Sequence, residues 1–426
     1  MNKSIKILYF FQLLTCFLLL STCTNSTKII PLKEITLNYS SLTIEKGENI
    51  QLIVTFSPEN ATNKDVIWTS SDENVATVSD DGLVIAISEG TAIITATTDD
   101  GLFEAICDVF VYVMNTYTFT VNNAEQWIDV VVFIREKGNY NTYTIYIEDD
   151  FEMPDDFSFH FPDLIGLIVE IIGNNEKIPK IKQGKMNILS HQVVTIQDIF
   201  FIHSNKYPND YDPFNNHFSV VGDGAVLNMK GNTTITKSSR SGVIVLGGTF
   251  NLYDGTIIDN TNTLGGGVLV AARGTFVMSG GLITKNMSFI DYNIFDVLTG
   301  AGGGVYVSFS TFIMSGGIIS NNVSEIGVGG GVCLSHESTF LMSAGTISNN
   351  SEGLSAHEEN NTFVMSGGVI HGTHESSATV GLANFNYAID RRWAPSCVLK
   401  YGDSTDILPH IDGYENRTIH TVIGRE

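Results

Sequence analysis

Asp254 and Asp259 stand five residues apart in the stretch FNLYDGTIIDN. A pair of carboxylates is what glycosidic hydrolysis requires, one as acid and one as base or nucleophile. The other chemistry open to such residues on an extended β scaffold is elimination, with an acidic calcium-binding cluster beside a basic residue. Either reaction needs convergent groups, so they should share offsets in neighbouring copies of a repeat. The frame of residues 250–260 does recur. At the offset of Asp254 the later copies carry Gly280, Gly316, Ala344 and Gly367, and at that of Asp259 they carry Lys285, Asn321, Asn349 and Gly372. No acidic column forms. Arg240, Arg273 and Lys285 are isolated and read as solvated charges. His336, His357, His371 and His374 fall in different turns and read as exposed polar residues. Glu148, Asp149, Asp150, Asp155 and Asp156 offer oxygen ligands, but their spacing matches no EF-hand loop, and they read as a solvated turn. No catalytic residue, cofactor or metal site is expected.

The repeat that sets these offsets decides the architecture. Its copies start at Leu227 (LNMKGNTTIT), Phe250 (FNLYDGTIIDN), Phe276 (FVMSGGLITKN), Phe312 (FIMSGGIISNN), Phe340 (FLMSAGTISNN) and Phe363 (FVMSGGVIHG), at spacings of 23, 26, 36, 28 and 23 residues. VTIQDIFFIHSN (194–205) reads as an earlier copy without the Phe-x-Met signature. A 23-residue unit this rich in Gly is too short for a helix pair and long enough for two or three strands. Phe and Met two apart share one strand face. A Gly pair then turns the chain, and GGGVLV, GGGVYV or GGGVCL precedes another strand. The unit predicts one rung of a right-handed parallel β-helix. Phe250, Phe276, Phe312, Phe340 and Phe363 form an inner column, with Leu252, Met278, Met314, Met342 and Met365 beside it. Asn260, Asn286, Asn322 and Asn350 share an offset and predict a turn ladder, with asparagine supplying left-handed backbone. About eight rungs at roughly 4.8 Å give an axis near 40 Å. A lone rung cannot bury its apolar face, so repetition itself stabilises the stack.

The flanks differ. NNAEQWIDVVVFIREKGN places Trp127, Val130, Val131 and Ile134 at helical spacing and predicts a capping helix over about 123–137, closed by Gly138. LIGLIVEIIG reads as a buried strand ending at Gly173. Residues 33–113 read as short strands with frequent turns, including the Gly47 turn and an Asp81-Gly82 hairpin, and predict a β-sandwich. The segments are 1–23, a signal; 24–32, a tether; 33–113, the sandwich; 114–185, the N-terminal cap and first strands; 186–380, the repeats; and 381–426, a C-terminal cap.

Three stretches carry resemblances. VIWTSSDENVATVSDDGLVIAISEGTAIITATTDDG resembles the bacterial immunoglobulin-like domain, group 2, of intimin- and invasin-type surface proteins. That implies a spacer or presenting module with Trp68 packed between its sheets. The rungs resemble the pectin-lyase-like parallel β-helix repeats of spirochaete- and Bacteroides-type surface proteins. LSTC (Leu20–Cys23), after Lys3, Lys6 and the apolar run ILYFFQLLTCFLLL, resembles a lipoprotein lipobox, with Thr22 where Gly, Ala or Ser is usual. It implies lipidation of Cys23; the alternative is a plain secretory signal. Cys107, Cys333 and Cys397 show no CxxC spacing and read as buried thiols.

The formal net charge is -23, and no basic stripe is present, which sets nucleic acid aside. The insert MSFIDYNIFDVLTGA (287–301) lengthens one repeat, and Phe289, Tyr292 and Phe295 make it the candidate partner-contact loop. NKYPNDYDPFNNHF (205–218), with Asp210 and Asp212, is a second. The expectation is a non-enzymatic, lipid-anchored protein of the bacterial outer membrane or cell surface, used in adhesion or display. Its partners would be the membrane and a host or cell-surface protein or glycan. The alternative is a carbohydrate-active β-helix enzyme. An autotransporter passenger is disfavoured, since no membrane barrel is read before Glu426.

Overall fold

A computed structural model describes residues 29–99, 102–154, 161, 163–182, 186–203, 218–290, 300–325, 329–351, 353–357, 361–370, 389–390 and 398–401. The chain divides into two compact units at Val113/Met114.

The first unit is a sandwich. Strands Ser41–Glu45, Glu104–Tyr112, Gly90–Thr98 and Val66–Ser70 form a four-stranded sheet in that order, and Asn49–Gln51, Leu83–Ala86 and Ala76–Val78 form a three-stranded one. Alternation places Leu42, Ile44, Val84, Ile94, Cys107, Val109 and Val111 in one core. The strands flanking Gly47 do not pair with each other. The first joins Glu104–Tyr112 and the second joins Leu83–Ala86, so the chain changes sheets at that turn. Gly82 carries the left-handed backbone of the hairpin at φ 86°. Trp68 is half-buried and packs against this core from the four-stranded sheet. Its ring lies over Gly82, where an added Cβ would come within 2.7 Å of it.

The second unit is a stack of parallel strands. Its longest ladder begins at Asn115–Val121 and Asn141–Ile147 and continues through Leu167–Gly173, Gln192–Gln197, Val226–Lys230, Thr249–Leu252 and Thr275–Met278. Thr311–Ser320, Thr339–Ser348, Thr362–Met365 and Val398–Tyr401 extend it. Every pairing is parallel, and each partner lies about one rung further along the chain, which defines a parallel β-helix. A second face follows one corner later, from Phe151–Glu152 to Val369–Ile370. A third runs from Met186–Ile188 to Ile389–Asp390. The first ladder exceeds the eight rungs expected, because its opening strands lack the Phe-x-Met signature that marks the later rungs.

Helix α1 (Ala124–Lys137) lies between the first two strands of the ladder. Asn123 caps it by accepting from the Gln126 N–H at 3.0 Å. Trp127, Val130, Val131 and Ile134 are buried in the same core as the inner columns.

Those columns organise the interior. Phe250, Phe276, Phe312 and Phe340 are fully buried, with successive centroids 5.1, 4.7 and 4.5 Å apart and rings within 7° of parallel. Phe363 continues the stack at 5.0 Å and 26°. Ile235, Ile257, Ile283, Ile319 and Ile347 form a second buried column, from the neighbouring face.

The asparagines form the third. The Nδ2 of Asn260 donates to Asn286 Oδ1 at 3.0 Å, that of Asn286 to Asn322 Oδ1 at 2.9 Å, and that of Asn322 to Asn350 Oδ1 at 3.0 Å. Each Oδ1 also accepts the backbone N–H of the asparagine one rung before. Left-handed backbone falls one residue earlier than expected, on Asp259, Lys285, Asn321 and Asn349. The ladder asparagines thereby point inward, where their amides replace water as partners. The third Gly of each GGG triplet makes room: a Cβ at Gly267, Gly304 or Gly331 would meet the Nδ2 of Asn286, Asn322 or Asn350 at 3.0, 3.0 or 2.8 Å.

Candidate functional site

Chemistry on such a scaffold belongs to its outward positions and corners. The corner between the first and second faces carries the carboxylates that the repeat frame singles out. Two shallow grooves run along it. One, of about 410 Å³, is lined by Tyr146, Glu148, Asn174, Glu176, Gln197 and Asp198, among others. The next, of about 540 Å³, is lined by Lys180, Phe200, Asn232, Thr234, Asp254 and Thr256, among others. The Asn232 N–H donates to Asp198 Oδ1 at 2.8 Å and links the two.

Most of these carboxylates are occupied in holding rungs together. Asp198 is buried; its other oxygen accepts from Gln197 at 3.0 Å. Gly231 is required beside it, since a Cβ there would lie 2.4 Å from Asp198 Oδ1. Glu148 accepts from Asn174 at 2.7 Å, and Asp150 accepts the Lys180 N–H at 2.8 Å. Asp149 pairs with Lys177 at 2.7 Å, and that bond raises the lysine's pKa. Glu148, Asp149 and Asp150 thus tie one rung to the next; Asp155 and Asp156 lie outside the described residues. No group of three or more His, Cys, Asp or Glu able to hold a metal occurs among the described residues.

Asp254 differs. It is exposed, and one oxygen accepts the Gly255 N–H at 2.7 Å. Beside it Tyr253 is 47% exposed, with the Lys230 ammonium 5.8 Å from its ring centroid. Asp254, Tyr253, Asn232 and Lys180 can hydrogen-bond and stack against a polyhydroxylated chain. Asp259 sits one corner further on, in left-handed backbone, so the two aspartates of the opening motif flank opposite ends of the strand Thr256–Ile258.

The insert is rooted on a short third-corner ladder, Thr261–Asn262, Met287–Ser288 and Val323–Ser324. Phe289 is half-buried; its N–H donates to Asn262 O at 3.0 Å, and the Ile290 N–H donates to Glu325 at 2.7 Å. Ser288 and Ser324 both donate to Gly300 O, at 2.7 and 2.5 Å. Tyr292 and Phe295 lie outside the described residues, as do Cys23, Asp210, Asp212, His371, His374 and Cys397. The described Cys107 and Cys333 are buried thiols.

Two features carried no signal in the repeat frame. Phe309 is 51% exposed in left-handed backbone and stacks on His336 at 4.8 Å. His336 is therefore half-buried, and its Nδ1 lies 2.7 Å from the Ser335 hydroxyl. Leu264, Leu269, Ala301, Tyr306 and Cys333 form a small apolar cluster outside the third face. Residue type changes from rung to rung at these positions, as at Leu269, Tyr306 and Cys333, so an alignment on the Phe frame does not register either one.

Residues 31–109 match the bacterial Ig-like domain (group 2) family, and that stretch is such a domain. The curated relatives are matched over this domain and include glycoside hydrolases. An alpha-L-arabinofuranosidase of Bifidobacterium longum is 43% identical over 76 residues, which is 18% of this chain and 7% of the relative. A kappa-carrageenase of Pseudoalteromonas carrageenovora is 40% identical over 77 residues, 18% of this chain and 19% of the relative. An Ig-like virion protein of Serratia phage KSP90 is 38% identical over 89 residues, 21% of this chain and 34% of the relative. The chain thus spans a minor part of each of these relatives.

Proposed function

We propose that the protein is a secreted cell-surface protein, held by a lipid on Cys23, in which the Ig-like domain spaces a β-helix used for adhesion or display. The observation that supports this most is the use of polar groups. Asn260, Asn286, Asn322 and Asn350 are buried in a ladder, and Glu148, Asp150 and Asp198 bind neighbouring rungs. Polar side chains are invested in stacking, and at the offset of Asp254 the later rungs carry Gly or Ala. A stack built this way presents surface along its length. No described helix is long and apolar enough to cross a membrane. Attachment in this reading is by the acyl group. The test is labelling with clickable palmitate in cells making wild type or Cys23→Ala, with protease shaving of intact cells. Label on wild type alone and loss of the protein on shaving are expected. Equal labelling of both, or resistance to shaving, overturns the reading.

A second reading, a carbohydrate-active enzyme, is favoured by the groove that Asp254 lines, with Tyr253 exposed beside it, and by glycoside hydrolases among the relatives of the Ig-like domain. Product release from a glycan panel that is lost in Asp254→Asn would establish it.

A further inference from the structure

Charge leaves the corner between the first two faces part-way along the stack. The rungs at 192–202, 226–236 and 249–258 each carry one charged residue across strand, corner and strand: Asp198, Lys230 and Asp254. The next four, 275–284, 311–320, 339–348 and 362–370, carry none, in a chain of net charge -23. Their outward positions form columns. Thr275, Thr311, Thr339 and Thr362 are in register, and Val277, Ile313, Leu341 and Val364 lie two residues on. Across the corner, Leu282, Ile318, Thr346 and Val369 make a second column. Ile318, Leu341 and Val369 are 45%, 37% and 37% exposed. Thr311–Ser320 and Thr339–Ser348 run through the corner as unbroken strands, so the two columns share one surface.

We propose that this neutral face pairs with the same face of a second copy. Two arguments select a copy over another partner. Molecules of charge -23 repel one another, and contact is least opposed where neither surface carries charge. A basic partner would seek the carboxylates, which this face lacks. The second argument is periodicity. Hydroxyl and aliphatic columns recur at the rung spacing of about 4.8 Å, and a copy related by a two-fold axis presents the same spacing, so side chains interdigitate along the whole contact. Four rungs by ten residues at about 3.3 Å each offer roughly 600 Å² per partner, or about 1,200 Å² in the pair, the lower bound of a specific interface. The pairing is therefore weak and strengthened by salt, which screens the net repulsion. It stands independently of the surface-display reading.

The test is sedimentation equilibrium of the full chain carrying Cys23→Ala, which keeps acyl groups out of the measurement. At about 100 μM protein and about 0.5 M salt the mass doubles, and the dissociation constant rises several-fold at about 0.05 M salt. Ile318→Lys with Leu341→Lys raises it at least tenfold, whereas Ile106→Lys on the Ig-like domain leaves it unchanged. Should the double-lysine chain lose its fold by circular dichroism, Ile318→Thr with Leu341→Thr, which follows the native Thr346, is read in its place and raises the constant at least threefold. A monomer at every salt concentration overturns the proposal, as does a dimer indifferent to the folded variant. So does a monomer that uses this face for a glycan or a lipid vesicle, with binding lost in the same variants.

Discussion

Removing the Asn322 amide tests whether the buried ladder holds the stack. Its Oδ1 accepts from the Asn286 N–H and Nδ2, both at 2.9 Å, and its Nδ2 donates to Ile283 O at 2.9 Å and Asn350 Oδ1 at 3.0 Å. In Asn322→Ala, Asn350 Oδ1 keeps its bond from the Asn322 backbone N–H at 2.9 Å. The Asn286 N–H and the second proton of its Nδ2 lose their partners, while the Ile283 carbonyl, which loses the Asn322 amide, stays in the strand ladder with Thr311–Ser320. At about 1–3 kcal/mol for each buried group stranded, the loss is at least roughly 2 kcal/mol. That is a large fraction of the about 5–15 kcal/mol typical of a folded domain, and it lowers the unfolding temperature by roughly 4–8 °C. Asn251→Ala is the control. Asn251 bonds to Asn228 at 2.9 Å on the outward side, where water can substitute, and its loss costs under about 1 kcal/mol. Asn322→Asp separates bonding from volume. It keeps both accepted bonds but sets an oxygen against Asn350 Oδ1 and Ile283 O. Its carboxyl would therefore titrate above the unfolded value, with stability greatest below about pH 4 and lost as pH rises through the raised value. Differential scanning calorimetry with hydrogen exchange across 283–290 reads all three variants. An Asn322→Ala loss no larger than that of Asn251→Ala would refute the reasoning.

Two further outcomes follow from burial. Phe312→Ala, in the middle of the ring stack, should cost about 3–5 kcal/mol in chemical denaturation, and Phe363→Ala less, because that ring is tilted 26° at the end of the run; equal losses would deny the stack its role. Burial raises Cys107 to about 11 from 9.0 and Tyr143 to about 12 from 10.0. Each is a raised value, so its contribution is complete below the unfolded pKa and lost as pH rises through the folded one. The Ig-like domain should weaken over about pH 9–11 and the β-helix over about pH 10–12, and a thermal scan in which Cys107→Ala leaves the first window untouched would remove that assignment.

What was legible in the sequence is what two neighbours constrain at once. An inward Phe312 must fit against both Phe276 and Phe340, so the frame of six copies names the inner columns correctly. The Asn offset likewise identifies the ladder, but which residue turns left-handed is set by the corner's backbone. Periodicity therefore placed it on Asn260 and its equivalents rather than on Asp259, Lys285, Asn321 and Asn349. LIGLIVEIIG was legible as the strand Leu167–Gly173, but its place in one ladder with Asn115–Val121 and Asn141–Ile147 was not, for the opposite reason. They pair through parallel backbone bonds while α1 and Phe161 complete their core, so no shared side-chain signature was needed. At Trp68 the group-2 motif gives the position, and local packing over Gly82 decides how much of the ring is buried.

The surface obeys another logic. Ala344 occupies a column where a Cβ at Gly280, Gly316 or Gly367 would come within 2.1, 2.2 or 2.3 Å of the carbonyl of Tyr253, Ser279 or Ser343. That rung absorbs the extra carbon by slipping its pairing, so that Ser315 faces Ala344 and the register shifts between Met314 and Ile318. The inner Phe312–Phe340 and Ile319–Ile347 pairs on either side of the slip are undisturbed. Corners and outward columns can therefore change rung by rung while the interior stays fixed. Tyr253, Asp254, Phe309 and the uncharged face all lie in that free layer, and their meaning comes from what they meet outside the chain.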